Sequence, residues 1–347
     1  ASDVYKRQVK ICVLLCFVYC VIFGSILSFQ WFCFGSSDDY TSAFGNNFDG
    51  YTVIKDSQEY ALSFGGELTD ETLQKIVSDY QQMEADGMGE ELEKTDWQIV
   101  NSWLGTLYPE LRDTSNYKTM ISYVDPDKLT GFYERRQQVL DEFLEVSGQV
   151  GAEKEFLHQI ERKVEKPFRY EWVEGWSTLL GSMVADLGVV MALFLGIVLS
   201  SLFAGEWHDN TSTLVLTTRN GWGKIALAKI LTGLAFTVEL FALLAVSSVI
   251  SQLFFMGTAG WNMPIQNIKL IAVAPMNMLQ AEIYEYAFVL LGAIGFAGIV
   301  MFISAAVKNN VLTLLLSLAV VYGPMMIAEY LPYDCLLYTS PSPRDTR

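Results

Sequence analysis

Histidine occurs only at His158 and His208, and each stands alone. The zinc-protease pattern H-E-x-x-H is therefore absent. So is the nucleophile elbow G-x-S-x-G. A phosphate-cradling loop needs G-x-x-x-x-G-K-[ST], and the nearest stretch, Gly221-Trp-Gly223-Lys224, lacks both the spacing and the hydroxyl. Of five cysteines, Cys12, Cys16, Cys20 and Cys33 lie in or beside the first hydrophobic run and Cys335 lies near the end. The middle of the chain has none, which excludes a disulfide framework or thiolate metal site there. No catalytic constellation, metal site or cofactor is implied. Charge is also scarce: 18% of residues are charged and 51% hydrophobic, below the roughly one quarter charged in soluble domains.

What charge there is sits in one place. Ser36–Trp176 holds 29 Asp and Glu against 13 Lys and Arg, a net of −16 that equals the formal charge of the whole chain. Such a surface disfavours nucleic acid as a partner, because phosphate binding needs basic groups. It suits a solvated exterior face.

The two ends read as sequencing adapter rather than protein. Asp3–Gln8 can be encoded by one strand of an oligonucleotide whose other strand, read one base later, gives Cys335–Ser340. The pair resembles a transposase mosaic end used in library preparation. Residues 1-8 and 335-347 are accordingly expected to be non-native.

Five apolar runs reach the roughly 20 residues needed to cross about 30 Å of hydrocarbon. They lie near 11–34, 179–204, 230–256, 286–307 and 311–328, with Gly323-Pro324 expected to kink or shorten the last. Arg219, Lys224 and Lys229 mark the connection between the second and third runs, and Lys308 the turn between the fourth and fifth, whereas 257–285 holds only Lys269. By the positive-inside rule the first two connections are cytoplasmic, so 36–176 and 257–285 are extracellular and the N-terminus is inside. The expected fold class is mainly α: a polytopic membrane protein with a large, mostly helical extracellular domain between its first and second spans. Its parts are a first transmembrane helix at 9-35, an acidic domain at 36-176, and helices two to five at 177-334.

Cys12, Cys16, Cys20, Gly24 and Ser28 recur every four residues, a stripe of small side chains that lets helices approach closely in lipid. Ala293 and Ala297, with Gly292, Gly295 and Gly298 around them, make a weaker seam of the same kind. In the acidic domain, Thr69 precedes Asp70-Glu71 as a helix start, with Leu73, Ile76, Val77, Tyr80 and Met83 on one face. A second helix follows Pro126, with Phe132, Val139 and Phe143 on one side and Tyr133, Leu140 and Leu144 beside them. A third is expected over 152–165, and Tyr51–Ile54 with Tyr60–Phe64 as a short hairpin.

Two acids interrupt the apolar runs, Asp186 near the outer end of the second and Glu239 within the third. A carboxylate in hydrocarbon costs several kcal/mol unless neutralised, paired or facing water. Both are candidates for a substrate path or coupling site; otherwise Glu239 is a packing residue and Asp186 simply solvated.

Segment 205-229 is rich in helix-capping residues and suits an amphipathic element along the membrane, a dock for a soluble partner. Phe203-Ala-Gly-Glu206, Ser212-Thr213, Leu214, Leu216, Thr218-Arg219 and Lys229 stand in the order found in ABC-2-type transporter permeases, and the chain resembles that family. Ser212 stands where the family often has Gly, and Thr217 or Thr218 where it usually has Pro. The resemblance implies a bacterial cell-membrane exporter subunit that moves a lipid, peptide or drug-like amphiphile. It also implies a separate ATP-binding cassette ATPase, a second permease, identical or not, and a sixth span beyond Asp334. Glu206, Thr213, Arg219 and Lys224 are the expected coupling residues. A membrane-anchored extracellular sensor without transport, or an intramembrane enzyme using Glu239, are the other readings.

Overall fold

The computed structural model describes residues 65–88, 97–112, 119–208 and 223–330, with single positions at Leu14, Lys55, Gln58, Glu59 and Ala61. The stripe Cys12, Cys16, Cys20, Gly24 and Ser28, and the coupling residues Thr213 and Arg219, lie outside them. The described residues are mainly helical. They divide into two compact units, an apolar one from 183–246 and 286–330 and a polar one from 65–182 and 247–285.

Three helices are long and apolar enough to cross a membrane: Glu174–Glu206 with 33 residues, Lys224–Phe254 with 31 and Met278–Val307 with 30. They correspond to the second, third and fourth expected runs. The fifth run is a helix at Asn310–Tyr330, but its apolar part, Asn310–Pro324, is shorter than a crossing. Contrary to a helix stopped at Gly323-Pro324, the backbone stays helical through Pro324 to Tyr330.

In the apolar unit, α6 (Val184–Leu199) and α7 (Ser201–His208) are separated by a break at Ser200. The helix Met278–Val307, α9, buries one stripe: Ala293, Ala297, Val300, Met301 and Ser304. Small residues at this seam admit neighbouring backbone, as expected of packing in lipid. Gly292, Gly295 and Gly298 fall off it, with nothing within 4 Å of an added Cβ. Among the described glycines of the apolar unit Gly233 makes the tightest approach, since a Cβ there would lie 2.7 Å from the Met301 sulfur.

The polar unit begins with β1 (Gly66–Glu67), which pairs antiparallel with β2 (Arg169–Tyr170). Thr69 caps α1 (Asp70–Met83), accepting from the Thr72 N–H at 3.2 Å, and Leu73, Ile76, Val77 and Tyr80 go into the core. The Asp70 carboxylate reaches across to accept from the Gly131 and Phe132 N–H groups at 2.7 and 2.9 Å. It thereby satisfies donors at the start of α3 (Phe132–Val146) that no helical carbonyl can reach. Helix α2 (Trp97–Leu107) supplies Trp103, whose ring meets Phe132 and Tyr170 edge-on.

Three local expectations need correction. Ala61, in the second arm of the expected hairpin, is helical, as are Lys55, Gln58 and Glu59. The buried stripe of α3 is Phe132, Arg136, Leu140 and Leu144, so Phe143 points outward, 51% exposed, and an arginine takes the inner position instead. Helix α4 (Ala152–Glu161) stops four residues before the expected end, where the backbone tightens into turns with the Lys163 N–H donating to Ile160 and the Val164 N–H to Glu161.

Candidate functional site

The strongest polar arrangement in the apolar unit is at the end of α7. Glu206 lies 2.6 Å from the Lys229 ammonium, and both side chains are mostly shielded. Lys229 also donates to the Leu202 carbonyl at 2.6 Å and sits 4.9 Å from the centre of the Phe203 ring. Lys229 is in the second turn of the long helix Lys224–Met256, α8. One ammonium therefore holds the last turn of one membrane-length helix to the first turns of the next.

One turn further into the bundle, the Ser304 hydroxyl of α9 enters the break between α6 and α7. It donates to the Ser200 carbonyl at 2.7 Å and accepts from the Phe203 and Ala204 N–H groups at 3.1 and 3.0 Å. A side chain placed in the helical ladder is a recognised cause of a kink. Here Ser200 keeps helical φ and ψ, so the hydroxyl replaces one rung of the ladder just before Phe203 and Glu206 without unwinding the helix.

Of the expected coupling residues, the structure thus places Glu206 in a built contact with Lys229. Lys224 is exposed in the first turn of α8. Asp186 is half-buried near the start of α6, and Glu239 is exposed on α8, away from the unit's own interior. His158 lies 3.2 Å from Asp141. Ser304 was not singled out by sequence reasoning, although it falls seven residues after Ala297 on the same stripe.

The polar unit is locked by a second buried charge. Arg136 is fully buried and donates to Glu161 at 2.6 Å, to the Leu270 carbonyl at 2.8 Å and to the Ala272 carbonyl at 3.0 Å. Lys166 also reaches Glu161, at 2.8 Å. Burial pushes the Glu161 carboxyl up, but hydrogen bonds and charge from Lys166 and Arg136 outweigh it and hold the group below the ordinary carboxylate range. The Trp103 indole N–H donates to the Asn267 carbonyl, Trp172 to Met256 and Trp176 to Ala259. Residues 257–285 are thus folded into the same unit as 65–182. Burial pushes the Tyr133 hydroxyl up to about 12, and it remains a donor to Leu68 and an acceptor from the Phe168 N–H.

Among the described residues no group of three or more His, Cys, Asp or Glu is placed to hold a metal ion. No family model, curated protein or solved structure matches the chain.

Proposed function

We propose that the chain is the membrane-spanning subunit of an ATP-driven exporter in a cell membrane, with ATP hydrolysed by a separate cassette subunit and a second permease completing the path. The observation that carries this reading is the Glu206–Lys229 contact. It ties together two membrane-length helices at the ends of the short connection 209–222, so a push on that connection moves both. The Ser304 hydroxyl ties a third helix to the same region through Ser200, Phe203 and Ala204. A partner that binds one packing of these helices better than the other shifts their population, which is all that coupling requires.

Two further features support it. The polar unit combines 65–182 with 247–285, as one exterior body would if the basic connections face the cytoplasm. Glu239 sits on an open face of a membrane-length helix, where a carboxylate needs protein or water beside it, as a second permease would provide. A second reading, a membrane-anchored binding protein without transport, is favoured by an apolar cleft in the polar unit.

The test is reconstitution of the full chain with a separate cassette ATPase. Glu206→Gln and Lys229→Met are expected to lower transport-linked ATP hydrolysis about tenfold while the complex still assembles. Unchanged hydrolysis in the double variant, or in Glu206→Gln with Arg219→Gln, would sink the exporter reading.

A further inference from the structure

The polar unit contains an open cleft of about 890 Å³, within the range of sites that take small organic ligands. Its wall is almost wholly apolar: Phe143 and Leu144 from α3, Phe156 and Leu157 from α4, and Ile271 and Val273 from the segment that Arg136 holds in place. Phe143 is 51% and Phe156 60% exposed. Aromatic side chains left open in this way, at a cleft rather than singly, mark a surface that something apolar covers.

Charge at the rim selects what that is. Two charged groups line the cleft, Glu153 and Lys269. Lys269 is already met by Glu285 at 3.2 Å. The basic groups nearby in sequence are likewise engaged, Lys154 by Glu145 at 2.8 Å and Arg162 by Glu155 at 3.8 Å. Glu153 has no cation among the described residues. Its carboxylate is met by the Gln149 amide, turned so that its nitrogen donates at 2.8 and 3.1 Å. With Lys269 neutralised by Glu285, the charge left uncompensated at the cleft is that of Glu153, on a stretch that is itself acidic. A second copy of the chain would bring like charges together at this rim, and an anionic lipid surface would be repelled.

We propose that this cleft binds a cationic amphiphile: an apolar chain or ring system lies against Phe143, Phe156 and Leu157 while an ammonium or guanidinium group pairs with Glu153. The inference goes beyond the exporter reading and stands without it, because binding needs neither ATP nor a partner subunit.

The test uses the full chain in phosphatidylcholine nanodiscs and a diazirine-bearing decyltrimethylammonium probe, with labelled peptides located by mass spectrometry. Labelling is expected within 140–157 and 269–273. Decyltrimethylammonium should compete at roughly fivefold lower concentration than decyl sulfate, the scale of one partly exposed ion pair. Glu153→Gln should erase that preference and keep the labelling. Phe156→Asn, at a side chain exposed enough to spare the fold, should cut labelling about fivefold or more through lost apolar contact. The proposal is overturned by labelling confined to the membrane helices, by equal or stronger competition from the sulfate, or by labelling indifferent to Phe156→Asn. Dimerisation that Phe156→Asn abolishes would overturn it too, since a second copy would then fill the cleft. None of these results bears on ATP coupling, so failure here leaves the exporter reading to its own experiment.

Discussion

The hydroxyl of Ser304 donates to the Ser200 carbonyl at 2.7 Å, and through the same oxygen it accepts from the Ala204 N–H, the group that closes a helical turn onto Ser200. A neighbouring helix is thus written into the hydrogen bonding of the break between α6 and α7. Ser304→Ala leaves Ser200 and Ala204 to each other, so its cost in thermal stability should stay within about 1.5 kcal/mol. On the exporter reading, coupled ATP hydrolysis in the reconstituted complex should fall several-fold, because the tie from α9 to the α6–α7 junction is lost. Ser304→Val adds bulk where Phe203 and Ala204 need an acceptor, and should lower the melting temperature further. Full coupling in both variants would show that the break has no mechanical role.

Acid should loosen the polar unit in a specific place. Glu161 has a folded pKa below its ordinary value. Its contribution is therefore complete above the unfolded pKa and is lost as pH falls through the depressed folded one. Hydrogen exchange at α3 and at 265–277 should accelerate together in that acid window and stay flat through neutral pH. Glu161→Gln should remove the acid limb. Arg136→Met, which strands the buried Glu161 carboxylate against Lys166 alone and takes a donor from the Leu270 carbonyl, should cost about 3–5 kcal/mol at neutral pH.

Gly260 has φ +80°, and a Cβ there would stand 2.3 Å from the Trp172 carbonyl oxygen. Gly260→Ala combines left-handed backbone strain with a collision against main chain, and should destabilise the polar unit by about 3 kcal/mol or more. Gly148 is the matched control. Its φ is +77° but nothing lies within 4 Å, so Gly148→Ala should cost only about 1 kcal/mol. Equal melting temperatures for the two variants would mean that Trp172 yields.

Replacing Glu239 separates folding from assembly. Because the side chain is exposed on α8, Glu239→Leu should leave the melting temperature of the isolated chain in detergent unchanged or raised. If a second permease covers this face, the same change should weaken the two-permease complex at least several-fold by native mass spectrometry, while Glu239→Gln weakens it less. A complex indifferent to both variants would place Glu239 away from any subunit contact.

The parts of this fold legible in sequence are those set by a period or a local cap. Three membrane-length helices follow from long apolar runs, two of them carrying a single acid, and Thr69 announces α1 through its own hydroxyl and the acids behind it. Arg136 was less visible because it occupies an apolar register on α3, four residues after Phe132 and four before Leu140, where a charge reads as noise until its three acceptors are known. Two of those acceptors are carbonyls more than a hundred residues away, beyond the reach of any local pattern. Polar residues between Ile54 and Tyr60 suggested a turn between strands, but Lys55, Gln58, Glu59 and Ala61 are helical. The Glu206–Lys229 corner was half legible: both residues stood in the quoted pattern, and only the structure brings their side chains together.

The guanidinium of Arg136 also sets a condition on biosynthesis. Its backbone partners at Leu270 and Ala272 are translated 134 and 136 positions later, after two membrane-length helices have been made. Until then the nascent acidic domain carries a cation meant for its centre without the oxygens that solvate it there. An excised 36–176 fragment repeats that unfinished stage indefinitely, and expressing it as a well-behaved soluble protein should require grafting 257–277 onto it.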